Sequence, residues 1–274
     1  MQRSRISVIG SGWLGLPLAR HLADRGHVVT ATTTSTDRLA AIRAAGVAPH
    51  RLEVGRDVEG DDLEVVFTCD ALIVTMPPSG ATDYPAAARS LARLAAVHGA
   101  RHLLFTSSTS VYPGLCRVVT EDDAGASSPA GLRRNGAAVL EAEREFAAGG
   151  VPATIMRLAG LYGHGRHPAR YLSGRTDLPA GDAPVNLVHR DDVIAVLEAV
   201  VNAGPDLGGE AFNVVSSRHP SRRDVYTAEC ARLALPPPVF RDGRGDDWKE
   251  VSGAKLEQAL GFSYRYPDPL EPAP

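Results

Sequence analysis

Lysine is almost missing from this chain. Of 29 lysines and arginines only Lys249 and Lys255 are lysines, so chemistry that needs an amine in the first nine-tenths of the sequence has no residue to supply it. Basic blocks are missing too, and the formal net charge is −3. Without a cationic stretch, nucleic acid and anionic membranes are excluded as expected partners. No apolar run has the length of a membrane-spanning helix, and Met1-Gln-Arg-Ser-Arg5 enters a strand rather than an apolar leader core. A soluble, cytoplasmic protein is therefore expected. Cysteine is scarce: Cys69, Cys116 and Cys230 are odd in number, far apart and without metal-ligand spacing. That argues against a disulfide framework or a zinc site and makes buried, reduced thiols the expectation.

What the chain does have is a glycine-spaced opening, Ile6-Ser-Val-Ile-Gly10-Ser11-Gly12-Trp13-Leu14-Gly15. Strand-type residues run into G-x-G-x-x-G, an apolar-periodic helix follows through Leu18 and Leu22, and Gly26 closes it before a second strand, His27 to Thr32. Gly10 permits a sharp turn, Gly12 lets the backbone approach a pyrophosphate, and Gly15 lets the helix pack on the sheet. The helix start, with its N–H groups and positive dipole end, suits phosphate. Taken alone the motif also fits a glycine-rich turn with no ligand; the flanking strand and helix select dinucleotide binding.

At the end of the second strand an NAD site ordinarily carries Asp or Glu for the ribose 2′-OH. Here the chain reads Thr32-Thr33-Thr34-Ser35-Thr-Asp37-Arg38, hydroxyls and an arginine that suit a 2′-phosphate. NADP is expected in preference to NAD, the alternative being that Asp37 merely caps a helix from Arg38 to Ala45. A third strand, Pro49 to Val54, leads to Asp57, Val58 and an acidic surface stretch. Cys69 to Met76 reads as a buried fourth strand ending in the rigid turn Met76-Pro77-Pro78-Ser-Gly80, where open α/β sheets bind ligands. Tyr84 to His98 is an alanine-rich helix and Arg101 to Ser108 a fifth strand. The alternation predicts an α/β, Rossmann-like, doubly wound parallel sheet.

The fifth strand runs on as Thr106-Ser-Ser108-Thr-Ser-Val-Tyr112-Pro-Gly. With the opening glycines, this resembles the extended short-chain dehydrogenase/reductase family, which includes NAD(P)-dependent epimerases and dehydratases. Arg157-Leu158-Ala-Gly-Leu-Tyr162-Gly163 resembles the family's R-P-x-x-x-Y-G-P stretch, and Val185-Asn-Leu-Val-His189-Arg-Asp-Asp192-Val its I-H-V-D-D-V junction. The resemblance covers nearly the whole chain. It implies that Ser108 is the catalytic hydroxyl, and that Thr106, Leu158, Asp57, Val58, Met76, Pro77 and Pro78 join the glycine turn and Thr33, Thr34, Ser35 and Arg38 around the nucleotide.

It also implies a Tyr and, four residues later, a Lys on the next helix, and there the pattern breaks. Counting back from Ala142-Glu143, those positions fall on Asn135 and Val139; no Tyr lies between Tyr112 and Arg157, and no Lys precedes Lys249. This resembles the atypical, YeeZ-type branch of the family, which keeps the nucleotide fold without that dyad. Asn135 can hydrogen-bond but not carry a proton near neutral pH. Tyr112, Tyr84 and His164 are the candidates for proton transfer, each with a structural alternative. The His164-x-x-His167 spacing lacks a third ligand, so no metal is expected.

A nucleotide domain of residues 1–157 with 185–216 and a small substrate lobe of 158–184 with 217–274 are expected, with a loop from Tyr162 to Ala183 over the substrate. The resemblance further implies a homodimer through the helices Tyr84 to His98 and Asn135 to Phe146. The function expected is an NAD(P)-dependent oxidoreductase or epimerase/dehydratase-type enzyme on a small hydroxyl or carbonyl substrate. The alternative is a non-catalytic NADP(H)-binding sensor or regulatory protein.

Overall fold

A computed structural model describes residues 3–125, 132 and 134–271. The strands that build its main sheet are β1 Arg5–Ile9, β2 Val28–Thr33, β3 Ala48–Val54, β4 Val58–Gly60, β5 Ala71–Val74, β6 Leu103–Ser108, β8 Ala153–Leu158 and β11 Ala211–Val214. Their order across the sheet is β11-β8-β6-β5-β1-β2-β3-β4. β1 pairs in parallel with both β2 and β5, β2 with β3 and β5 with β6, while β4 returns antiparallel on β3. The chain leaves β1 to one side and later crosses to the other. The β1/β5 boundary is thus the switch point at which such sheets hold ligands. β5 and β8 are buried at every residue, the mark of strands covered on both faces.

The chain divides into two compact units. The first comprises Met1–Ser108, Arg134–Arg157 and Ile194–Ala211; the second comprises Thr109–Arg133, Leu158–Val193 and Phe212–Pro274. The first unit carries α1 Gly15–Asp24, α2 Leu39–Ala44, α3 Leu63–Phe67, α4 Tyr84–Val97, α5 Arg134–Ala148 and most of α6 Arg190–Ala203. Asp83 caps α4 by accepting from Ala86 N at 3.1 Å. The acidic stretch expected only as surface contains β4 and α3. Asp62 caps α3 by accepting from Val65 N at 3.0 Å while Val66 and Phe67 turn inward. Asp37 caps nothing with its side chain; it sits in a 3-10 turn, Thr36–Arg38, ahead of α2.

α4 and α5 pack on one another, clasped by Arg89, which donates to both carboxylate oxygens of Glu145 at 2.9 and 2.5 Å. Ala87, Ala88, Ala92 and Ala95 are buried within the chain, so close helix approach is used here inside one molecule.

The second unit is built on two short parallel pairs, β7 Val118–Val119 with β12 Glu250–Val251 and β9 Gly160–Tyr162 with β10 Leu187–His189, plus α7 Arg222–Arg232 and α8 Ala254–Leu260. Tyr162, Val185, Leu187 and Val225 form a core that Tyr226 and Leu270 flank. Ser221 caps α7, and Gly261, at φ 59°, ends α8 in the left-handed region as glycine readily does. Residues 109–125, 185–193 and 212–216, expected with the nucleotide domain, group with the second unit, where β7 and β10 find their partners. Cys69 and Cys230 are buried thiols, whereas Cys116 is exposed, lifted by a turn in which it takes φ 52°. No helix among the described residues is long and apolar enough to cross a membrane.

Candidate active site

The glycine turn is braced from both sides. Gly10 has φ 96°, its N–H donates to Thr32 Oγ1 at 3.1 Å, and its carbonyl accepts from Thr75 Oγ1 at 2.7 Å. Ser11 is buried, with its backbone N–H and hydroxyl both on the Thr32 carbonyl at 2.8 Å. A Cβ on Gly15 would lie 2.0 Å from the Gly10 carbonyl oxygen, whereas a Cβ on Gly12 would meet nothing within 4 Å. Gly15 is therefore a packing glycine, and Gly12 faces open space. No side chain caps α1 and its first turn holds no acid, so the positive end of the helix, with half-buried Trp13 and buried Leu14 leading into it, is uncontested by side chains. This arrangement fits a dinucleotide's pyrophosphate.

Beyond β2 the first unit holds a crevice of about 960 Å³ bordered by Thr34, Gly55, Arg56, Asp57, Gly80 and Asp83 among others. Thr33 is buried and its hydroxyl accepts from Ser35 N at 3.2 Å. Thr34 and Arg38 are exposed, Ser35 is half-buried, and no acid stands at the end of β2. Asp57 is exposed, with Val58 half-buried behind it, on the turn into β4. Pro77 and Pro78 carry the chain off β5 into a 3-10 turn, Pro78–Gly80.

Two candidates on this unit take definite places. Tyr84 is buried and donates from its hydroxyl to the Met76 carbonyl at 2.7 Å; burial raises its phenol well above the ordinary range. Its position is that of a residue pinning the Met76 turn. Asn135 is exposed on the first turn of α5, and Val139 is buried. At the end of β6, Thr106 donates to the Val74 carbonyl at 2.9 Å, and Ser108 is half-buried with Leu158 buried at the end of β8. Behind them lies a buried ion pair: Arg157 grips Glu143 through Nε and Nη2 at 3.0 and 2.9 Å, and Ser107 donates to the same carboxylate. Losing either charge would strand the other in a low-dielectric interior.

In the second unit, Tyr112 is buried and donates to Asn213 Oδ1 at 2.7 Å, the place of a structural tyrosine. Its carbonyl accepts from Lys249 Nζ at 2.5 Å. His164 is exposed in a left-handed conformation, φ 47°, which costs a residue with a Cβ about 1 kcal/mol or more. Its Nε2 lies 2.7 Å from Asp191 Oδ1. The carboxylate only accepts, so Nε2 carries the proton in this hydrogen bond. His189 Nδ1 accepts from Asp191 N at 3.3 Å, and its ring meets Tyr162 edge-on and His164 and Tyr266 at a tilt. His164, His189 and Asp191 bring potential ligand atoms within 4.8 Å of one another. The H-x-x-H spacing did not foretell that cluster, because His167 turns instead to Glu229 at 3.1 Å.

Sequence reasoning missed Thr32 and Thr75 as braces of the glycine turn, Asp191 as the partner of His164, and Lys249. The braces are single hydroxyls with no spacing rule; Asp191 and Lys249 meet their partners only through long-range pairing.

A family model described as NAD(P)H-binding matches residues 10–203. Protein YeeZ of Escherichia coli strain K12 is 38% identical over 279 residues, covering 97% of each chain. The chain belongs to the NAD(P)H-binding family, in its YeeZ-type branch. Among solved structures, a conserved protein of unknown function from Silicibacter pomeroyi superposes with a TM-score of 0.78 at 24% identity, covering 97% of this chain and 95% of that one. The Bordetella bronchiseptica enzyme WbmG, solved with NAD and UDP, gives 0.72 at 18% identity, covering 96% and 90%. Both likenesses are of fold. The match to the NAD(P)H-binding family begins at Gly10, the first residue of the braced glycine turn.

Proposed function

We propose that this protein is an NAD(P)-dependent oxidoreductase or epimerase/dehydratase-type enzyme acting on a small hydroxyl- or carbonyl-bearing substrate, with NADP preferred to NAD. The observation that carries the reading is the glycine turn: Gly15 seated on Gly10, and Gly12 open on its outer side. Gly12 to Leu14 and the start of α1 would hold the pyrophosphate, and Thr34, Ser35 and Arg38 the phosphate on the ribose. Hydroxyls and a guanidinium without an acid are what a 2′-phosphate needs and what a bare 2′-OH does not. When bound, the nicotinamide supplies hydride exchange.

Ser108, in this reading, orients the reacting oxygen. Proton handling falls outside α5, where Asn135 cannot titrate and Val139 is apolar. The second unit offers His164, oriented by Asp191 at 2.7 Å, with a ring that can both donate and accept a hydrogen bond. The NAD bound to WbmG supports a dinucleotide for this chain as well. A second reading rests on that same α5 substitution: a protein that binds NADP(H) without turnover, as a sensor or regulatory partner.

Fluorescence titration with NADPH and NADH, followed by hydride-transfer assays over aldehydes, ketones and sugar nucleotides, separates these readings. The enzyme reading expects NADPH to bind at least tenfold more tightly than NADH. Turnover should survive Asn135→Ala and fall at least a hundredfold in Ser108→Ala. Binding without turnover on any compound favours the second reading, and failure of both nucleotides to bind overturns both.

A further inference from the structure

In the second unit, Ser110, Tyr112, Pro113, Gly114, Asp247, Trp248 and Lys249 line a pocket of about 320 Å³, the lower end of the size that takes small molecules. Its floor is the segment that follows Ser108 in sequence, and its wall comes from more than a hundred residues downstream. The wall is fixed by backbone pairing. Cys116 N donates to the Trp248 carbonyl at 2.8 Å, Glu250 N to the Arg117 carbonyl at 3.2 Å, and β12 continues the pairing on β7. Asn186 clamps the same segment, donating from Nδ2 to the Lys249 carbonyl at 2.9 Å and accepting from Val251 N at 2.8 Å. At Gly114 a Cβ would lie 2.0 Å from Asp247 Oδ1, so the two segments touch with no room for a side chain. Lys249 is thus held at a set point, half-buried, with its ammonium on the Tyr112 carbonyl at 2.5 Å.

We infer that Lys249 is a substrate-binding residue whose ammonium holds an oxygen of a small hydroxy-carbonyl compound in this pocket of the second unit. The inference rests on the proposed function for the nature of the substrate. The choice of residue is telling in a chain whose cations are nearly all arginine. An ammonium is a compact point charge whose three donors spread from one nitrogen and rotate to meet separate acceptors, whereas a guanidinium presents a planar fork matched to carboxylate or phosphate. A point donor beside the Ser110 hydroxyl, the Asp247 carboxylate and the Trp248 indole suits a ligand that offers hydroxyl and carbonyl groups.

With two lysines in the protein, the test is direct. The whole chain is incubated with glycolaldehyde and sodium cyanoborohydride, which traps the imine of a lysine with the aldehyde as a secondary amine. Peptide mapping then follows Lys249 and Lys255 separately. Labelling of Lys249 should saturate with glycolaldehyde concentration, while that of exposed Lys255 rises linearly. A linear response at Lys249, or no labelling there, overturns the inference.

In parallel, Lys249→Met should leave NADPH affinity within twofold and raise KM at least tenfold for the best hydroxy-carbonyl substrate of the panel, with Lys249→Arg recovering part of the loss. An unchanged KM in Lys249→Met overturns it too. If the wild-type protein binds no NADPH or turns nothing over, the enzyme reading fails, and the labelling curve alone still decides whether Lys249 holds a hydroxy-carbonyl ligand.

Discussion

The glycine turn and the Lys249 pocket are built in opposite ways. The turn is local: Gly10, Gly12 and Gly15 fall within six consecutive residues, and even its braces are near, Thr32 on β2 and Thr75 just past the end of β5, the two strands beside β1. The pocket joins segments far apart in sequence, with the Lys249 ammonium reaching the carbonyl of Tyr112 across 137 residues. A local motif can carry one function through many sequences because a few backbone positions define it. An assembled pocket can change its chemistry by altering one residue on either segment. The difference teaches where to look for what is general in this protein and where for what is particular to it.

The largest expected effect sharpens the local side. Gly15→Ala should destabilise the protein by about 3 kcal/mol, since a methyl has no room against the Gly10 carbonyl. Gly12→Ala should leave stability within about 0.5 kcal/mol and yet weaken NADPH binding at least tenfold. Denaturant unfolding and nucleotide titration on the pair separate the two glycines; equal stability losses would break the assignment.

A smaller effect distinguishes the units by acid. His102 is buried in the first unit with Nε2 2.8 Å from Thr154 Oγ1, whose own hydrogen goes to the Leu207 carbonyl. Nε2 is therefore the protonated nitrogen. Burial lowers the imidazole pKa to about 4. The unfolded chain, near pH 6.5, takes up the proton first, so stability falls as pH drops from 6.5 towards 4, by about 2 kcal/mol between pH 7 and pH 5.

In the second unit the Arg117 guanidinium holds Asp123 down to about 2. That stabilisation is present above the ordinary aspartate value and is lost only as pH falls towards 2. Hydrogen exchange at pH 5 should show the first unit loosened and the second protected. His102→Phe should flatten the slope between pH 7 and 5. The smallest effect belongs to Tyr112→Phe, which removes one buried hydrogen bond to Asn213 and should cost about 1 kcal/mol, with NADPH affinity unchanged. A loss of affinity would give that hydroxyl a part in nucleotide binding.

How much of this was legible in the sequence follows the same division. The glycine spacing, the alternation of strand and helix, the Ser221 cap and the Gly261 stop are short-range signals, and the chain folds as they indicate. β4 and α3 escaped notice because acidic residues outnumber the apolar ones that turn inward. β7, β9, β10 and β12 are two or three residues long, too short to show a period, and only distant partners make them strands. For the site, the nucleotide turn could be read and its hydroxyl braces could not. Tyr84 was legible as a tyrosine near a ligand-binding turn, but nothing in the sequence told that its hydroxyl is committed to the Met76 carbonyl. His164 was visible as a histidine on a glycine-rich loop, and its partner Asp191, 27 residues on, was not.

The exposed thiol of Cys116 gives this molecule a built-in reporter position. With Cys69 and Cys230 buried, a maleimide dye would attach at one place, two residues past Gly114 and on the segment whose backbone is tied to Trp248. Filling or emptying of the Lys249 pocket would then be readable as a change in fluorescence, one molecule at a time, without a substrate having to be turned over.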